Sequence, residues 1–198
     1  MSLWLVIPIR GLAAGKSRLA TVLGAGERLS LNTQWLEALL DAFAALAGGL
    51  SHCIVVSPSD DALSYAEHRG AHALRETGLG DLNAALEQGC EYARARSAQR
   101  ILILAADLPE VRYRVLSRLL EACSTDAVTL IADKTGTGTN GMLLPANAAR
   151  GFAFGEGSLA RHERLFTTPG KPVHIWRDAG LALDIDTPDD LSDWRRTT

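Results

Sequence analysis

Three aspartates occupy positions at which carboxylates could hold a divalent cation. Asp107 directly follows the apolar run 100–106, which has the composition of a strand in the middle of a parallel sheet. Asp184 and Asp186 are two residues apart, so both side chains lie on one face wherever that segment is extended. A carboxylate at the end of a buried strand is costly unless it is paired or bound to metal. These residues therefore predict a site for Mg²⁺, with water and phosphate oxygens completing the coordination.

The same aspartates also have a purely structural interpretation. Asp107 could cap a helix that begins near Pro109. The segment 186–190, Asp-Thr-Pro-Asp-Asp, is typical of a helix N-cap followed by an acidic first turn. One aspartate of the pair at 184 and 186 could cap a helix while the other binds metal. From the residues alone, both interpretations stay open.

Cations cluster near the amino terminus, next to a predicted strand. The apolar run 3–7 has the length and β-branched content of a buried strand, and Pro8 ends its hydrogen bonding. The following loop is rich in Gly and Ala and contains Arg10, Lys16 and Arg18. Such a loop brings backbone N–H groups and positive charge to one spot, which suits a polyphosphate.

Part of this loop is close to a known phosphate-binding pattern. The segment 11–17 has the form Gly-x-x-x-Gly-Lys-Ser, one residue short of the P-loop pattern. Arg10 stands where the first P-loop glycine belongs, and its side chain would crowd the turn around a phosphate. We therefore favour a nucleotide-binding loop of another type over a P-loop, with a basic surface loop as the remaining alternative.

Two glycine loops offer further groups for anion binding. The segment 133–141 places hydroxyl and amide side chains beside glycine amides, and those side chains are Thr135, Thr137, Thr139 and Asn140. The segment 154–158 precedes a predicted helix, whose N-terminus attracts anions, and Arg161 and His162 follow. Surface turns would explain both loops equally well. Because no Ser or Cys stands in a nucleophile setting, we interpret His162 as a phosphate contact or a surface residue.

Hydrophobic periodicity predicts the elements that position these residues. Strands are predicted at 3–7, 52–56, 71–75, 100–106, 126–132, 142–144, 173–176 and 181–183. Helices are predicted at 27–46, 60–69, 83–97 and 111–123, with a short helix near 161–165 and a last helical turn after 188. The β-α-β-α-β order of the first part implies parallel strands joined by right-handed crossovers. The sequence, which has no repeat or linker, predicts one α/β domain spanning 1–198.

Composition and charge exclude several classes of protein. Hydrophobic residues at 47 % and charged residues at 22 % are ordinary for a soluble globular chain. A net charge of -3 argues against a nucleic-acid-binding surface. The cysteines, Cys53, Cys90 and Cys123, lack the spacing of a disulfide framework or a zinc site, so we expect buried thiols in a cytoplasmic protein. No apolar run is long enough for a secretory signal or a membrane span.

Taken in order, these motifs resemble the 2-phospho-L-lactate guanylyltransferase family of coenzyme F-420 biosynthesis, which includes phosphoenolpyruvate and 3-phospho-D-glycerate guanylyltransferases. Each motif alone is weak, but their ordered set over almost the whole chain is specific. The set comprises Val6-Ile7-Pro8, Lys16-Ser17-Arg18-Leu19, Gly80-Asp81-Leu82-Asn83, Asp107-Leu108-Pro109, Gly136-Thr137-Gly138-Thr139-Asn140, Phe154-Gly155 with Gly157-Ser158, Arg161-His162 and Leu183-Asp184-Ile185-Asp186-Thr187-Pro188.

The resemblance implies a three-layer α/β domain with a mostly parallel mixed sheet, the GT-A-like nucleotidyltransferase fold. It also implies transfer of GMP from GTP to the phosphate of a small phosphorylated three-carbon acid, with Mg²⁺ as the cofactor and release of pyrophosphate. The implied catalytic residues are Lys16, Arg10 and Asp107. The implied nucleotide-binding residues are Pro8, Arg10, Gly11, Lys16, Arg18, Gly80 and Asn83. Acceptor binding is assigned to Thr139, Asn140, Gly155, Ser158 and Arg161, and metal binding to Asp107, Asp184 and Asp186.

Two positions depart from the family pattern. The family commonly has Lys two residues after the proline, where this chain has Arg10, and a guanidinium fork meets phosphate differently from a point charge. Gly141 follows Asn140 where the family often has an apolar residue, which could alter the choice of acceptor.

The sequence keeps two other functions in view. One is a transferase of the same fold that uses another nucleotide, of the cytidylyl or molybdopterin type, and the other is a non-catalytic GTP-binding module. We expect no membrane partner. A homodimer, and contact with the next enzyme of the coenzyme pathway, are both compatible with a domain of this size.

Overall fold

The computed structural model describes residues 2–78 and 80–197. Its strands form one seven-stranded sheet in the order β3-β2-β1-β4-β6-β5-β7. The strands are β1 (Leu3–Pro8), β2 (Cys53–Ser57), β3 (His72–Arg75), β4 (Arg100–Leu104), β5 (Thr129–Ala132), β6 (Thr139–Pro145) and β7 (His174–Trp176). The predicted central strand is confirmed, because β4 is the middle strand of the sheet.

The sheet is mixed because one strand runs against its neighbours. β1 pairs in parallel with β2 and β4, and β2 pairs in parallel with β3. β6 lies antiparallel between β4 and β5, while β7 pairs in parallel with β5. The carboxyl ends of the parallel strands therefore meet the amino end of β6 at one edge of the sheet.

Helices cover both faces of this sheet. They are α1 (Ala25–Ala47), α2 (Asp60–His68), α3 (Leu82–Arg94), α4 (Tyr113–Ala122), α5 (Ser158–Phe166), α6 (Ala179–Ala182) and α7 (Pro188–Thr197). None of the helices in the described ranges is long and apolar enough to cross a membrane. The predicted three-layer α/β architecture with a mostly parallel mixed sheet is confirmed.

Alternating strand residues divide the interior into two cores. Along β1, Leu5 and Ile7 pack with α1, α2 and α4, whereas Trp4 and Val6 pack with α3 on the opposite face. This division follows from the two-residue period of a strand, which points successive side chains to opposite faces. All three cysteines are buried free thiols, one or more in each core, as the sequence predicts.

A third, smaller cluster attaches the carboxyl-terminal segment to the amino-terminal part of the chain. Ile185 and Leu191 pack with Leu19, Leu23 and Trp35, and Ile185 has no exposed surface. Because Ile185 lies between two aspartates and points into this cluster, its neighbours at 184 and 186 face the other way.

Several predicted boundaries are wrong, and two of them bear on the site. The run 181–183, predicted as a strand, instead holds the end of α6, whose last residues are Leu181 and Ala182, because the Asp178 carboxylate accepts the Gly180 N–H at 2.9 Å and caps a helical turn there. The polar loop predicted at 133–141 ends earlier, because Thr139 and Gly141 already pair with neighbouring strands as part of β6.

Gly141 is held in the tightest part of the sheet. It pairs with Leu104 on one side and Ile131 on the other, next to an irregularity in the β5–β6 register. A Cβ atom at this position would overlap the carbonyl oxygen of Ile103 and lie 2.7 Å from Leu104 Cδ2. A larger residue therefore requires the sheet backbone to move. Packing between the strands thus requires glycine at position 141. This role differs from an effect on the choice of acceptor, which the departure from the family pattern suggested.

We expect Gly141→Ala to lower the free energy of unfolding by about 1–3 kcal/mol, because the added methyl group meets backbone that cannot rotate away. Urea unfolding followed by circular dichroism measures this change. Gly26→Ala is the matched control, since its Cβ would meet nothing within 4 Å and Ala is favoured in α1. Equal stability of the Gly141→Ala variant and the unmodified chain would contradict the packing argument.

Candidate active site

A cavity of about 620 Å³ lies at the edge of the sheet where the parallel strands end. Most of the residues predicted to be functional line it, although they come from distant parts of the chain. They are Pro8, Arg10, Gly11, Lys16, Arg18, Gly80, Asp107, Thr139, Asn140, Gly155, Ser158, Asp184 and Asp186. Ligands of open α/β sheets bind beyond the carboxyl ends of the strands, and this edge brings the predicted cations, carboxylates and hydroxyls to one place.

Asn83 and Arg161, two other predicted site residues, support the wall of the cavity from behind. The Asn83 side-chain oxygen accepts the Phe154 N–H at 2.7 Å, and Phe154 lines the cavity. Arg161 Nε donates to the Ala153 carbonyl at 3.2 Å, and its Nη2 stands 3.4 Å from where a Cβ of Gly155 would be. Both residues hold the second glycine loop in position.

The loop that carries the cations is fixed by two residues that sequence reasoning missed. The Asp61 carboxylate accepts the N–H groups of Leu12 at 3.2 Å and Ala13 at 2.8 Å. From α1, Asn32 donates its amide to the Leu12 carbonyl at 2.7 Å. Burial acts to raise the pKa of Asp61, but hydrogen bonds from Ser59 and from these backbone amides outweigh it and lower the pKa. The carboxylate is therefore charged while it holds the loop.

Close contacts explain the glycines of this loop. Gly11 has φ +146°, and a Cβ there would lie 2.8 Å from Ser59 Cβ. At Gly15 a Cβ would lie 2.7 Å from Asn32 Nδ2. The segment that follows is a 3-10 turn, Ser17–Thr21, rather than the α-helix that follows a P-loop. The loop is thus not a P-loop, in agreement with the interpretation favoured from the sequence.

Lys16 directs its side chain at the aspartates. Its backbone has the left-handed conformation, with φ 61°, and its side chain is only 9 % exposed. Nζ donates to Asp107 Oδ2 and, at 2.8 Å, to Asp186 Oδ1. Burial acts to lower the pKa of Lys16, but the two carboxylates outweigh burial and raise the pKa above its ordinary value. Lys16 is therefore a charged ammonium between two acids.

Asp184 adds a third acidic group to this cluster. Burial, followed by the negative charges of Asp107 and Asp186, raises the pKa of Asp184 above its ordinary value. One ammonium thus faces three carboxyl groups, which leaves the cluster short of positive charge. A further cation would stabilise the ionised form of Asp184.

Helix capping does not occupy the aspartates of this cluster. α7 is capped by Thr187, whose Oγ1 accepts the Asp190 N–H at 3.2 Å while Asp190 Oδ2 accepts the Thr187 N–H at 2.8 Å. Asp190 also accepts the Asp186 N–H and pairs with Lys134, and although burial opposes this, these bonds lower the pKa of Asp190 to about 2. α4 begins at Tyr113, well after Asp107. The capping interpretation of Asp107 and Asp186 is wrong.

The donor set fits a hard divalent cation. Oxygens of Asp107 and Asp186 converge on one point, which the Lys16 ammonium occupies. In the ranges that the structure describes, no group of three His, Cys, Asp or Glu side chains is arranged to hold a metal ion. Mg²⁺ commonly uses one or two carboxylates together with water and substrate phosphates, so this pair satisfies its chemistry.

At the other end of the cavity, two hydroxyl groups are held close together. Ser158 Oγ accepts the Thr139 N–H at 3.0 Å, and both residues are buried in the wall of the cavity. Thr139 Oγ1 lies 3.0 Å from Nδ1 of His162, which has no exposed surface. The interpretation of His162 as a phosphate contact or a surface residue is wrong.

The hydrogen bonds of His162 decide where the Thr139 hydroxyl proton points. Nε2 accepts the Ala153 N–H at 2.9 Å, so the neutral ring carries its proton on Nδ1 and donates it to Thr139 Oγ1. Burial, and then the charge of Arg161, lowers the pKa of His162 to about 4, which keeps the ring neutral. Thr139 and Ser158 each use an acceptor position within the protein, so each hydroxyl proton remains for a ligand anion.

The Asn140 side chain links β6 to α6. Its side-chain amide donates to the carbonyls of Leu181 at 3.1 Å and Ala182 at 2.9 Å. These residues directly precede the segment with Asp184 and Asp186. The Asn140 amide protons are therefore committed to the protein, and its side-chain oxygen is the group left to face a ligand.

His162→Gln removes a group that must lose its proton on folding, so we expect the variant to lose less stability in acid. With a pKa of about 4 in the folded state against 6.5 in the unfolded state, His162 contributes stability above pH 6.5 that is lost as the pH falls toward 4. Between pH 7 and pH 5 this loss is about 2 kcal/mol. Urea unfolding of both proteins at the two pH values measures it, and identical losses would contradict a neutral buried His162.

Comparison with known proteins places this chain in a family. The model of the family described as "Guanylyl transferase CofC like" matches residues 3–194. The phosphoenolpyruvate guanylyltransferase of Sphaerobacter thermophilus is 39 % identical over 95 % of this chain and 90 % of its own length. The 2-phospho-L-lactate guanylyltransferase of Methanothermobacter thermautotrophicus is 33 % identical over 95 % and 82 %. The 3-phospho-D-glycerate guanylyltransferase of Phenylobacterium zucineum is 34 % identical over 93 % and 86 %.

Solved structures confirm the predicted nucleotidyltransferase fold. A putative nucleotide-diphospho-sugar transferase from Desulfovibrio desulfuricans superposes with a TM-score of 0.76 at 17 % identity, covering 100 % of this chain and 88 % of that one. A CMP:2-keto-3-deoxy-manno-octonic acid synthetase complexed with CTP superposes with a TM-score of 0.64 at 13 % identity, covering 100 % and 98 %. With the family model matching nearly the whole sequence, this chain belongs to the CofC-like guanylyl transferase family.

Proposed function

We propose that this protein transfers GMP from GTP to the phosphate of a phosphorylated three-carbon acid and releases pyrophosphate. The candidate acceptors are 2-phospho-L-lactate, phosphoenolpyruvate and 3-phospho-D-glycerate, the acids named for its relatives. The observation that carries the proposal is a single cavity with cations, paired carboxylates and two hydroxyl donors arranged across it. Such a reaction would provide an activated diphosphate for coenzyme F-420 biosynthesis, in the reducing cytoplasm that three unpaired cysteines suit.

The loop that contains Arg10, Lys16 and Arg18, the cation loop, is proposed to bind the triphosphate. Arg10 and Arg18 line the cavity with exposed side chains, and Asp61 and Asn32 fix the backbone between them. A guanidinium fork can bind two phosphate oxygens at once. Lys16 is proposed to exchange part of its contact with the aspartates for contact with the phosphates, as negative charge enters beside it.

Asp107 and Asp186 are proposed to hold Mg²⁺ with Asp184 beside them. Bound there, the ion would neutralise phosphate charge during the transfer. Burial, and then the charges of Asp107 and Asp186, raise the pKa of Asp184, and a cation bound beside it would offset both effects.

The acceptor acid is proposed to bind at the end of the cavity where Thr139 and Ser158 hold their hydroxyl groups. Thr139 and Ser158 would donate their hydroxyl protons to its carboxylate or phosphate, and the loop at Gly155 would bring backbone N–H groups close to the same anion. Arg161, behind this loop, adds positive charge.

The chemistry then needs alignment more than proton transfer. An oxygen of the acceptor phosphate forms a bond to the α-phosphorus of GTP, and the bond from that phosphorus to the bridging oxygen of pyrophosphate breaks. Because the attacking phosphate is already an anion, no general base is required. The chain's contribution is to hold two like-charged molecules in line and to offset their repulsion, which is where the clustered cations act.

The direct test is pyrophosphate release with GTP and Mg²⁺, with each of the three acids offered separately. The enzyme that consumes the product is added in a parallel reaction so that an unstable or inhibitory product does not hide turnover. Release that depends on one acid establishes the reaction and its acceptor. GTP binding without release under any condition would favour the non-catalytic GTP-binding module, and release with CTP in place of GTP would favour a transferase for another nucleotide.

Asp107→Asn should lower the rate of pyrophosphate release by at least about tenfold while the fold survives, because the substitution removes a charge at the centre of the site. Steady-state rates and circular dichroism spectra check the two parts of this expectation. Asp41→Asn, an exposed aspartate of α1 paired with Arg69, is the control. A folded Asp107→Asn variant with normal turnover would remove Asp107 from the catalytic site.

A further inference from the structure

One end of the cavity has no assigned partner in the reaction above. Beyond the cation loop the cavity continues past the ends of β2 and β3 to the first turns of α3. Its walls there are apolar, formed by Val56, Leu82, Ala85 and Leu86. Leu82 is 41 % exposed, one of the few large apolar side chains left open to solvent in the described ranges. An open apolar wall of this kind suits the flat face of a nucleobase.

A single carboxylate, that of Glu76, lines this apolar end. Its Oε1 is closed off from solvent and has no hydrogen-bond partner in the described part of the chain. A buried acceptor without a donor is costly, and such atoms are rare in folded proteins. Among the residues that the structure describes, no donor reaches this oxygen, and the cavity that Glu76 lines is where a ligand could supply one.

The backbone that carries Glu76 is braced from both sides. The Glu76 N–H donates to the Ser57 carbonyl at 2.9 Å. From α3, Gln88 donates to the Arg75 carbonyl at 2.7 Å and accepts the Thr77 N–H at 3.1 Å. The side chain therefore starts from a fixed position at the cavity wall.

The order of the strands places Glu76 at a suitable distance from the phosphate-binding loop. Glu76 follows β3 and the cation loop follows β1, with β2 between them. Two strand spacings are on the order of 10 Å. A nucleotide whose phosphates lie on the cation loop can thus extend its base along the apolar wall to Glu76.

Hydrogen-bonding chemistry identifies the base. Guanine presents two donors side by side on one edge, N1–H and the exocyclic N2–H, and a carboxylate can accept both. The corresponding edges of adenine and cytosine place a ring-nitrogen acceptor beside their amino group, and a carboxylate repels that acceptor. We propose that Glu76 determines the specificity for guanine by accepting these two donors. The proposal rests on the proposed function only in taking a nucleoside triphosphate as the ligand.

The test is equilibrium binding by isothermal titration calorimetry, with no acceptor acid present. The probes are GTP, ITP, which lacks the exocyclic N2 amino group, ATP and 2′-deoxy-GTP. We expect the unmodified chain to bind GTP at least about tenfold more tightly than ITP, and to bind ATP more weakly than ITP. In Glu76→Gln we expect GTP affinity to fall about 10–100-fold and the preference for GTP over ITP to disappear.

Two further variants make the result specific. Glu91→Gln makes the same substitution on the exposed side of α3 and should bind all four nucleotides normally. Glu76→Asp keeps the carboxylate, so it should retain a preference for GTP over ITP even where affinity falls. Urea unfolding of each variant reports whether the fold is intact.

Three results with the Glu76→Gln variant would overturn the proposal. Equal loss of GTP and ITP affinity in Glu76→Gln would mean that the carboxylate does not contact the N2 amino group. Loss confined to nucleotides that carry a 2′-hydroxyl would place Glu76 on the ribose. Normal GTP preference in a folded Glu76→Gln variant would remove Glu76 from the base site. Because binding is read without turnover, an absence of pyrophosphate release would leave this proposal standing, whereas an unmodified chain that binds no nucleotide would overturn both.

Discussion

The ammonium group of Lys16 joins three parts of the chain that are far apart in sequence. It links the loop after β1 to Asp107 at the end of β4 and to Asp186 near the carboxyl terminus. Carboxylates from two segments would repel one another here without an intervening cation. The rest of the site depends on this contact, since it determines how closely the amino-terminal loop and the carboxyl-terminal segment approach the sheet. The apolar cluster around Ile185 also holds the carboxyl-terminal segment against the amino-terminal part of the chain.

Much of this arrangement could be predicted from sequence because it follows from strand ends. Apolar runs of three to seven residues predicted the strands, and the polar residues after them had to meet at one edge of a parallel sheet. Asp107, the cation loop and the pair at 184 and 186 were found in this way, and they line the cavity together. The resemblance to a family added the acceptor residues, such as Thr139 and Ser158, which pattern alone left equal to surface turns.

The residues that sequence reasoning missed act through contacts between distant segments. Asp61 is 48 residues or more from the amides it holds, and Asn32 is 20 residues from its carbonyl partner, so no local pattern marks either one. His162 looked exposed because it follows a polar turn, yet the ring is buried by the packing of α5 on the sheet. The run 181–183 looked like a strand because it is short and apolar, a pattern shared with helical turns that a single capping side chain can stabilise.

Because β6 runs in the reverse direction, the two halves of the cavity are built differently, one from loops and the other from a strand of the sheet. On the proposed nucleotide side, cavity-lining groups belong to loops that leave the sheet, and hydrogen bonds from residues such as Asp61 hold those loops. On the proposed acceptor side, Thr139 and Asn140 are already inside the hydrogen-bonded ladder, because β6 enters the sheet at the edge where its neighbours leave it. A change of specificity on the proposed acceptor side therefore has to come from exchanging side chains on a rigid frame, whereas on the proposed nucleotide side it can also come from exchanging the few side chains that hold the loops.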